Sequence, residues 1–403
     1  MAASNCVVRL VRLDLSSAQQ RQCQALRREA GRCWTAMLKA HIESRTGKWL
    51  TANDLMHDFK GIYALHSQSV QALAQKLEAN IDTARSLRQN GDSEARYPYK
   101  DKLYQTVTWK DQALRVRDGR LLLSNGRGRE PLVLTLEAEY RSANIRKVEL
   151  LWRADHYELA LTIDTGIVNP PLIRRVKTVG VDLGEINIAA VVTDEGKGVL
   201  ITGRYLRSVK RLRNKRHAAY AKKMANCQPH SRRMKRLRKR KAQASAKFYR
   251  QQRDILHKAS RKVVEFCKQE GVARIAIGDV RDIADRTNKG RHQNQRMSQW
   301  PHGQFVQYVS YKGRVFGMTT AYQPEDYSTR TCSSCGHVGS SSPRGRVFTC
   351  PGCGAVVSRD GNGGANICSR ARYGRYGKVQ LKHLTYLRPV VVVAPRHGPT
   401  LLT

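Results

Sequence analysis

Residues 321–367 read AYQPEDYSTRTCSSCGHVGSSSPRGRVFTCPGCGAVVSRDGNGGANI. Two close cysteine pairs, Cys332/Cys335 and Cys350/Cys353, stand in this stretch with an acid on either side, Glu325 before and Asp360 after. A C-x2-C pair closes a tight loop that points two thiolates at one ion. Two such knuckles complete the tetrahedral four-sulfur shell that zinc prefers. The glycines after Cys335 and Cys353 suit the turn each knuckle needs. Two disulfides, or unrelated buried cysteines, are the competing explanation. Four protein sulfurs leave no open position for a substrate, so the spacing predicts a structural zinc ribbon. Closing it brings the two flanking acids near each other.

Composition bounds the rest. The chain has 403 residues, 40% of them hydrophobic, enough for two to four compact units with real cores. Its net charge is +41, from 73 Lys and Arg against 32 Asp and Glu, and its pI is near 10.4. A protein this basic repels itself unless a polyanion covers it, so nucleic acid is the expected partner. A membrane surface is the competing polyanion, but no apolar run reaches spanning length and no signal peptide opens the chain. Ten cysteines, four of them in the zinc pattern and the rest scattered, fit a reducing cytosol. A cytoplasmic, nucleoid-associated protein is expected.

Ahead of the ribbon, CVVRLVRLDL at 6–15 alternates as a strand does, and Ser16-Ser17 then offers a helix cap. Leu26, Cys33, Trp34, Met37, Leu38 and Ile42 recur at helical spacing, with further helical signal at 55–62 and 67–87. From Tyr97 the texture becomes short strands at 106–109, 113–116, 121–124, 132–136, 147–153 and 157–163. Short, evenly spaced strands indicate a β-barrel or sandwich, and the helices read as an insertion after its first strand. Pro170-Pro171 marks a linker.

The second half opens with KTVGVDLGEINIAAVV at 177–192, a buried strand ending in Asp182, then a turn and a second apolar run. RNase H-like nucleases present a metal-binding carboxylate in this way, although such an Asp also serves as a plain turn residue. Residues 204–253 are very basic and read as two long helices joined near 227–231, a phosphate-contacting surface. An apolar stripe carries the second helix to residue 270, a buried strand follows at 273–280, and 281–299 reads as a mobile polar loop. A short helical patch at 305–309 and a strand at 315–322 lead to Pro324-Glu325. SRDGN at 358–362 caps a helix beginning near Gly364, and residues 385–403 read as a loosely held tail despite VVVV at 390–393.

The order GVDLG at 180–184, DILHKAS at 254–260, the strand at 273–280, YSTRTCSSCG at 327–336, CPGCG at 350–354 and SRDGNGGANI at 358–367 resembles the TnpB family. These are transposon-encoded RNA-guided RuvC nucleases, related to type V CRISPR effectors and to Fanzor. Tyr97-Pro98-Tyr99-Lys100 also looks like the segment before that family's barrel strands. The resemblance implies an α+β multidomain fold. A β-barrel wedge domain would take 1–15 and 96–172, with a helical recognition lobe inserted at 16–95. An RNase H-like (RuvC) α/β domain would take 173–330 and 357–384, with the zinc ribbon inserted at 331–356 and a tail at 385–403.

One departure bears on the chemistry. The common family pattern places a catalytic Glu near the end of the strand at 275–280, where this chain has Gly278-Asp279. Three explanations stand: a nuclease-dead protein, substitution by Asp279, or a rearranged site in which Glu325 supplies the acid. Asp279 is disfavoured because neighbouring strand residues point to opposite faces. The rearranged-site branch implies catalytic Asp182, Glu325 and Asp360 holding two Mg²⁺, with Asp182 bridging, beside one structural Zn²⁺ on Cys332, Cys335, Cys350 and Cys353. The implied activity is RNA-guided, Mg-dependent DNA endonuclease cleavage. Its partners are a guide RNA of omega or CRISPR type and double-stranded target DNA with a short flanking motif. The alternatives are a nuclease-dead RNA-guided DNA-binding protein and a plain RNase H-like transposase.

Overall fold

The Ser16 side chain accepts from the Gln19 backbone N–H at 3.2 Å and the Gln19 side chain accepts from the Ser16 N–H at 3.0 Å. This capping box starts the first long helix where the Ser-Ser pair predicts a cap. The computed structural model describes residues 4–168, 177–281, 290–341, 343 and 345–389. It divides into two compact units, Met1–Val168 and Asn169–Thr403.

The first unit runs β1 (Ser4–Arg12), α1 (Ser17–Ser44), α2 (Ala52–Phe59), α3 (Ser67–Gln89), β2 (Val107–Lys110), β3 (Leu114–Arg117), β4 (Arg120–Leu123), β5 (Leu132–Thr135), β6 (Asn144–Trp152) and β7 (Tyr157–Val168). Its strands hydrogen-bond into an antiparallel sheet ordered β1-β7-β6-β2 and a three-stranded meander β3-β4-β5. Both sheets and the three helices bury their apolar faces in one core, around Met37, Leu38, Leu77, Trp109, Leu121 and Leu150. The helices fall between β1 and β2 in the chain, while β1 lies beside β7.

The second unit runs β8 (Thr178–Asp182), β9 (Asn187–Thr193), β10 (Lys197–Thr202), α4 (Arg204–Ala225), α5 (Arg232–Gln269), β11 (Arg274–Gly278), α6 (Arg291–Ser298), α7 (His302–Arg314), β12 (Thr319–Gln323), β13 (Val347–Thr349), β14 (Val356–Ser358), α8 (Arg359–Tyr373) and β15 (His383–Leu387). One mixed sheet is ordered β12-β11-β8-β9-β10-β15. In it β8, β11 and β12 are parallel neighbours, β8-β9 and β9-β10 are antiparallel, and β15 is parallel to β10.

Strand alternation divides the residues of β8 between the two faces. Val179 and Val181 pack with Ile255 and Val263 of α5 and Phe305 of α7. On the other face, a Cβ on Gly180 would clash with the Gly364 carbonyl and the Cys368 backbone of α8. A Cβ on Gly364 would in turn lie 2.8 Å from the Ala190 carbonyl of β9. Glycine on both sides therefore lets α8 lie against the sheet backbone, which explains three glycines in the first turns of a helix despite their poor helix propensity.

Several sequence expectations are corrected here. The helix expected near Gly364 begins at Arg359, where the Ser358 hydroxyl caps the Gly361 N–H at 3.4 Å. Part of the loop expected at 281–299 is the helix α6, and the strand expected at 315–322 begins only at Thr319. The tail expected from Thr385 begins later, because Thr385–Leu387 completes β15 on the open edge of β10. Pro170-Pro171, the loop residue Asn288 and the run at 390–393 lie outside the described residues. Among the described residues, no helix is long and apolar enough to cross a membrane.

Candidate active site and metal centre

The two cysteine knuckles are built alike. Gly336 N–H donates to the Cys332 carbonyl and Gly354 N–H to the Cys350 carbonyl, both at 3.0 Å. Both glycines have positive φ, +80° and +69°, the left-handed conformation glycine adopts without strain. All four cysteine sulfurs lie within 4.8 Å of one another. Across the knuckles, Cys332 Sγ is 3.7 Å from Cys353 Sγ, and Cys335 Sγ is 3.6 Å from Cys350 Sγ. A disulfide requires about 2.05 Å. Four sulfurs at about 2.3 Å around a tetrahedral zinc stand about 3.8 Å apart, so the donor set fits zinc.

Two buried asparagines of α8, one turn apart, fasten the first knuckle. Asn362 Oδ1 accepts from the Ser333 N–H at 2.9 Å, and its amide donates to the Thr331 carbonyl at 2.8 Å. Asn366 donates to the Ser328 and Thr331 carbonyls at 2.8 and 2.6 Å. The ribbon and the helix bearing Asp360 are thus one hydrogen-bonded piece.

The acids gather at the carboxyl ends of the parallel strands. Val181 of β8 pairs with Ile277 of β11, so the next residues on each strand, Asp182 and Gly278, are neighbours. Gly278 in turn pairs with Gln323 of β12, and Glu325 follows two residues later. A Cβ on Gly278 would lie 2.5 Å from Glu325 Oε2 and 2.9 Å from Ile367 Cδ1. The Glu325 carboxylate therefore occupies the space over the bare backbone of β11. On α8, a Cβ on Gly363 would lie 2.7 Å from Asp182 Oδ2.

Burial pushes the Asp182 carboxyl well above the usual carboxylate range, reinforced by Glu325 and Asp360 and opposed by Arg359. Burial also pushes Glu325 up to about 7, with the charges of Asp279 and Asp326 adding to it. Asp360 is differently placed. Asn187 donates to its Oδ2 at 2.7 Å, Arg346 pairs with Oδ2 at 3.0 Å and Arg359 with Oδ1 at 3.0 Å. Among the described residues, the one group of three or more Cys, His, Asp or Glu side chains already gathered closely enough to share an ion is the cysteine quartet. Asp279 is held on both oxygens by Arg281, at 2.9 and 2.6 Å.

Asp182 and Glu325, whose ionisation burial opposes, would give up their protons more readily to a cation placed between them, and Asn187 Oδ1 is buried beside Asp360 without a hydrogen-bond partner. Hard oxygen donors of this kind suit Mg²⁺. Asn187, Arg346, Asn362 and Asn366 were not singled out from sequence. Only the two asparagines left a signal, their i, i+4 spacing inside an otherwise small-residue helix.

Two family models match the second half and its approach: Cas12f1-like, TNB domain over residues 302–367, and the OrfB_IS605 probable transposase over 158–284. A 112-residue stretch is 27% identical to the CRISPR-associated endodeoxyribonuclease Cas12f1 of Sulfoacidibacillus thermotolerans. That match takes in 28% of this chain and spans a quarter of the relative's length. Among solved structures, a Cas12f1–sgRNA–target DNA complex aligns over 88% of this chain and 83% of that one, with TM-score 0.57 and 13% identity, a likeness of fold. The mini-RNA-guided endonuclease Cas_phi3 aligns over 93% of both chains with TM-score 0.46 and 12% identity.

Proposed function

We infer, for a chain that belongs to the TnpB/Cas12f-like family, that it is an RNA-guided DNA endonuclease with a rearranged acid set. Asp182, Glu325 and Asp360 are the acids of this reading. The single observation that carries it is the Glu325 carboxylate lying over Gly278, beside Asp182. A Glu two residues beyond the end of β12 thereby reaches the neighbourhood that a Glu on β11 itself would serve. The order β10-β9-β8-β11-β12, with the first three antiparallel and the last three parallel, supports the RNase H-like (RuvC) reading of the second unit. The shared core of the first unit's two sheets supports a wedge barrel there, with α1–α3 as the recognition lobe.

Two Mg²⁺ held by these acids would supply an activated water and stabilisation of the leaving oxygen in phosphodiester hydrolysis. The protein's own part is to hold three carboxylates between α8 and the carboxyl ends of β8 and β11. A guide RNA would read the target by base pairing, while the protein contacts backbone and a short flanking duplex motif. The helices α4 and α5 expose Lys222, Lys223, Arg232, Arg233, Lys235 and Arg236, which suits a phosphate track. Domain limits follow the sequence reading, except that the nuclease unit extends through Leu387.

The nuclease-dead reading has one observation in its favour, the two arginines that already occupy Asp360. The test is to sequence the RNA that copurifies, reprogram its guide segment, and measure cutting of matched DNA with and without added Mg²⁺. Metal-dependent, guide-matched cutting supports the nuclease. Guide-matched binding without cutting supports the dead binder, and guide-independent activity overturns both.

A further inference from the structure

Glu325 opens a tight turn, closed by the Ser328 N–H donating to the Glu325 carbonyl at 3.0 Å. The third residue of that turn, Tyr327, has φ +63°, whereas Asp326 before it is not in the positive-φ region. This is the type II pattern, whose third position takes glycine or asparagine because a side chain there strains the backbone. A bulky aromatic is the wrong residue for the turn. Nor does the ring serve the core, since Tyr327 is 58% exposed. One ring face is covered by the Arg330 guanidinium, 3.9 Å from the ring centroid, and Arg330 is anchored to the Ser340 carbonyl at 3.5 Å.

Strain retained at an exposed aromatic, two residues from the half-buried Glu325, points to a use outside the fold. We propose that Tyr327, backed by Arg330, is a stacking platform for one nucleobase of the DNA single strand presented to the acids. The chemistry fits a base. A ring with a cation behind it and solvent in front offers a π-face to any of the four bases, with no hydrogen-bond reading of sequence. The turn also ties the platform to the chemistry, because the residue that opens the turn is Glu325. A base stacked there fixes the strand within a few residues of the carboxylates. Tyr327 is on this account a positioning residue for the activity inferred above, on which the proposal rests.

The test uses the protein with its copurified RNA, in buffer without Mg²⁺ so that nothing is cut. A single-stranded DNA complementary to the guide, extended beyond it, carries 2-aminopurine at successive positions. Saturating unmutated protein should quench the fluorophore at one position in the extension. Tyr327→Asn should abolish that quenching and weaken binding of the extension by about tenfold, the scale of one base–aromatic stack. Tyr327→Phe and Tyr327→Trp should retain both. Because asparagine suits the turn, Tyr327→Asn should melt at the same temperature or roughly 2–4 °C higher. Quenching undiminished in Tyr327→Asn overturns the proposal, as does a lower melting temperature in that variant, which would make the ring structural. Quenching only where 2-aminopurine lies in the guide-paired part of the DNA, or at no position, also overturns it. Guide-matched cutting by the unmutated protein in Mg²⁺ is scored separately, so loss of the platform and loss of the nuclease reading are told apart.

Discussion

The carboxylate of Glu325 lies where a side chain on Gly278 would have to begin: a Cβ there would be 2.5 Å from Glu325 Oε2. Glycine at 278 is thus the condition for Glu325 to reach across β11 toward Asp182, and the two positions exclude each other's side chains.

Gly278→Ala should therefore harm cleavage more than folding. The added methyl meets the movable end of Glu325 but also Ile367 Cδ1 at 2.9 Å, so a stability loss of about 1–3 kcal/mol is expected. Displacing the carboxylate should lower the rate of target cutting at least tenfold while RNA binding is unchanged. Single-turnover cleavage alongside thermal unfolding checks the split.

Glu325 also makes the metal-free protein pH-sensitive. Its carboxyl is raised from 4.5 to about 7, so the folded state binds more protons than the unfolded state between these values. Stability contributed in the protonated form is present below pH 4.5 and is lost as pH rises through about 7, on the order of 3 kcal/mol for this shift. Asp182, raised by the same burial, contributes in the same direction. Unfolding in Mg²⁺-free buffer at pH 5 to 8, with the zinc retained, should show the fall, Glu325→Gln should flatten it, and Mg²⁺ should counter it.

How far the sequence carried is clearest at these residues. The knuckle spacing was readable because ligand geometry is local, and GVDLG because an acid ends a buried apolar run. The requirement for glycine at 180 and 364 was not readable, since it arises where helix and sheet backbones touch. The departure at Gly278 could be seen, but its meaning depends on the register that puts Gln323 beside it. Strand β15 was missed because HLTYL is short and its partner edge lies far away in the chain. Arg346 and Asn187 meet Asp360 only through tertiary folding.

Zinc should be structural. Cys332→Ser or Cys350→Ser should release one zinc per chain, and because binding of such an ion contributes on the order of 10 kcal/mol, the ribbon should unfold locally. Asn362 and Asn366 would lose their partners in that event, so hydrogen exchange should rise in α8 as well as in residues 331–356. Elemental analysis and exchange mass spectrometry measure both. Unmutated protein free of zinc would contradict the assignment.

The asparagine pair can be tested without touching a metal ligand. Asn366→Ala removes the amide that donates to the buried Ser328 and Thr331 carbonyls, and leaving such groups short of a donor costs about 1–3 kcal/mol. The variant should keep its zinc at room temperature but unfold at lower denaturant concentration.

The central claim is that Glu325 replaced the strand acid, and guide-directed cleavage by Glu325→Ala tests it most directly. With reprogrammed guide and matched DNA in Mg²⁺, Glu325→Ala should cut at least about a thousandfold more slowly than the unmutated protein, as should Asp182→Ala and Asp360→Ala. RNA and target binding should hold in all three, and Asp279→Ala, whose carboxylate is paired with Arg281, should cut almost normally. Full cutting by Glu325→Ala would contradict the account.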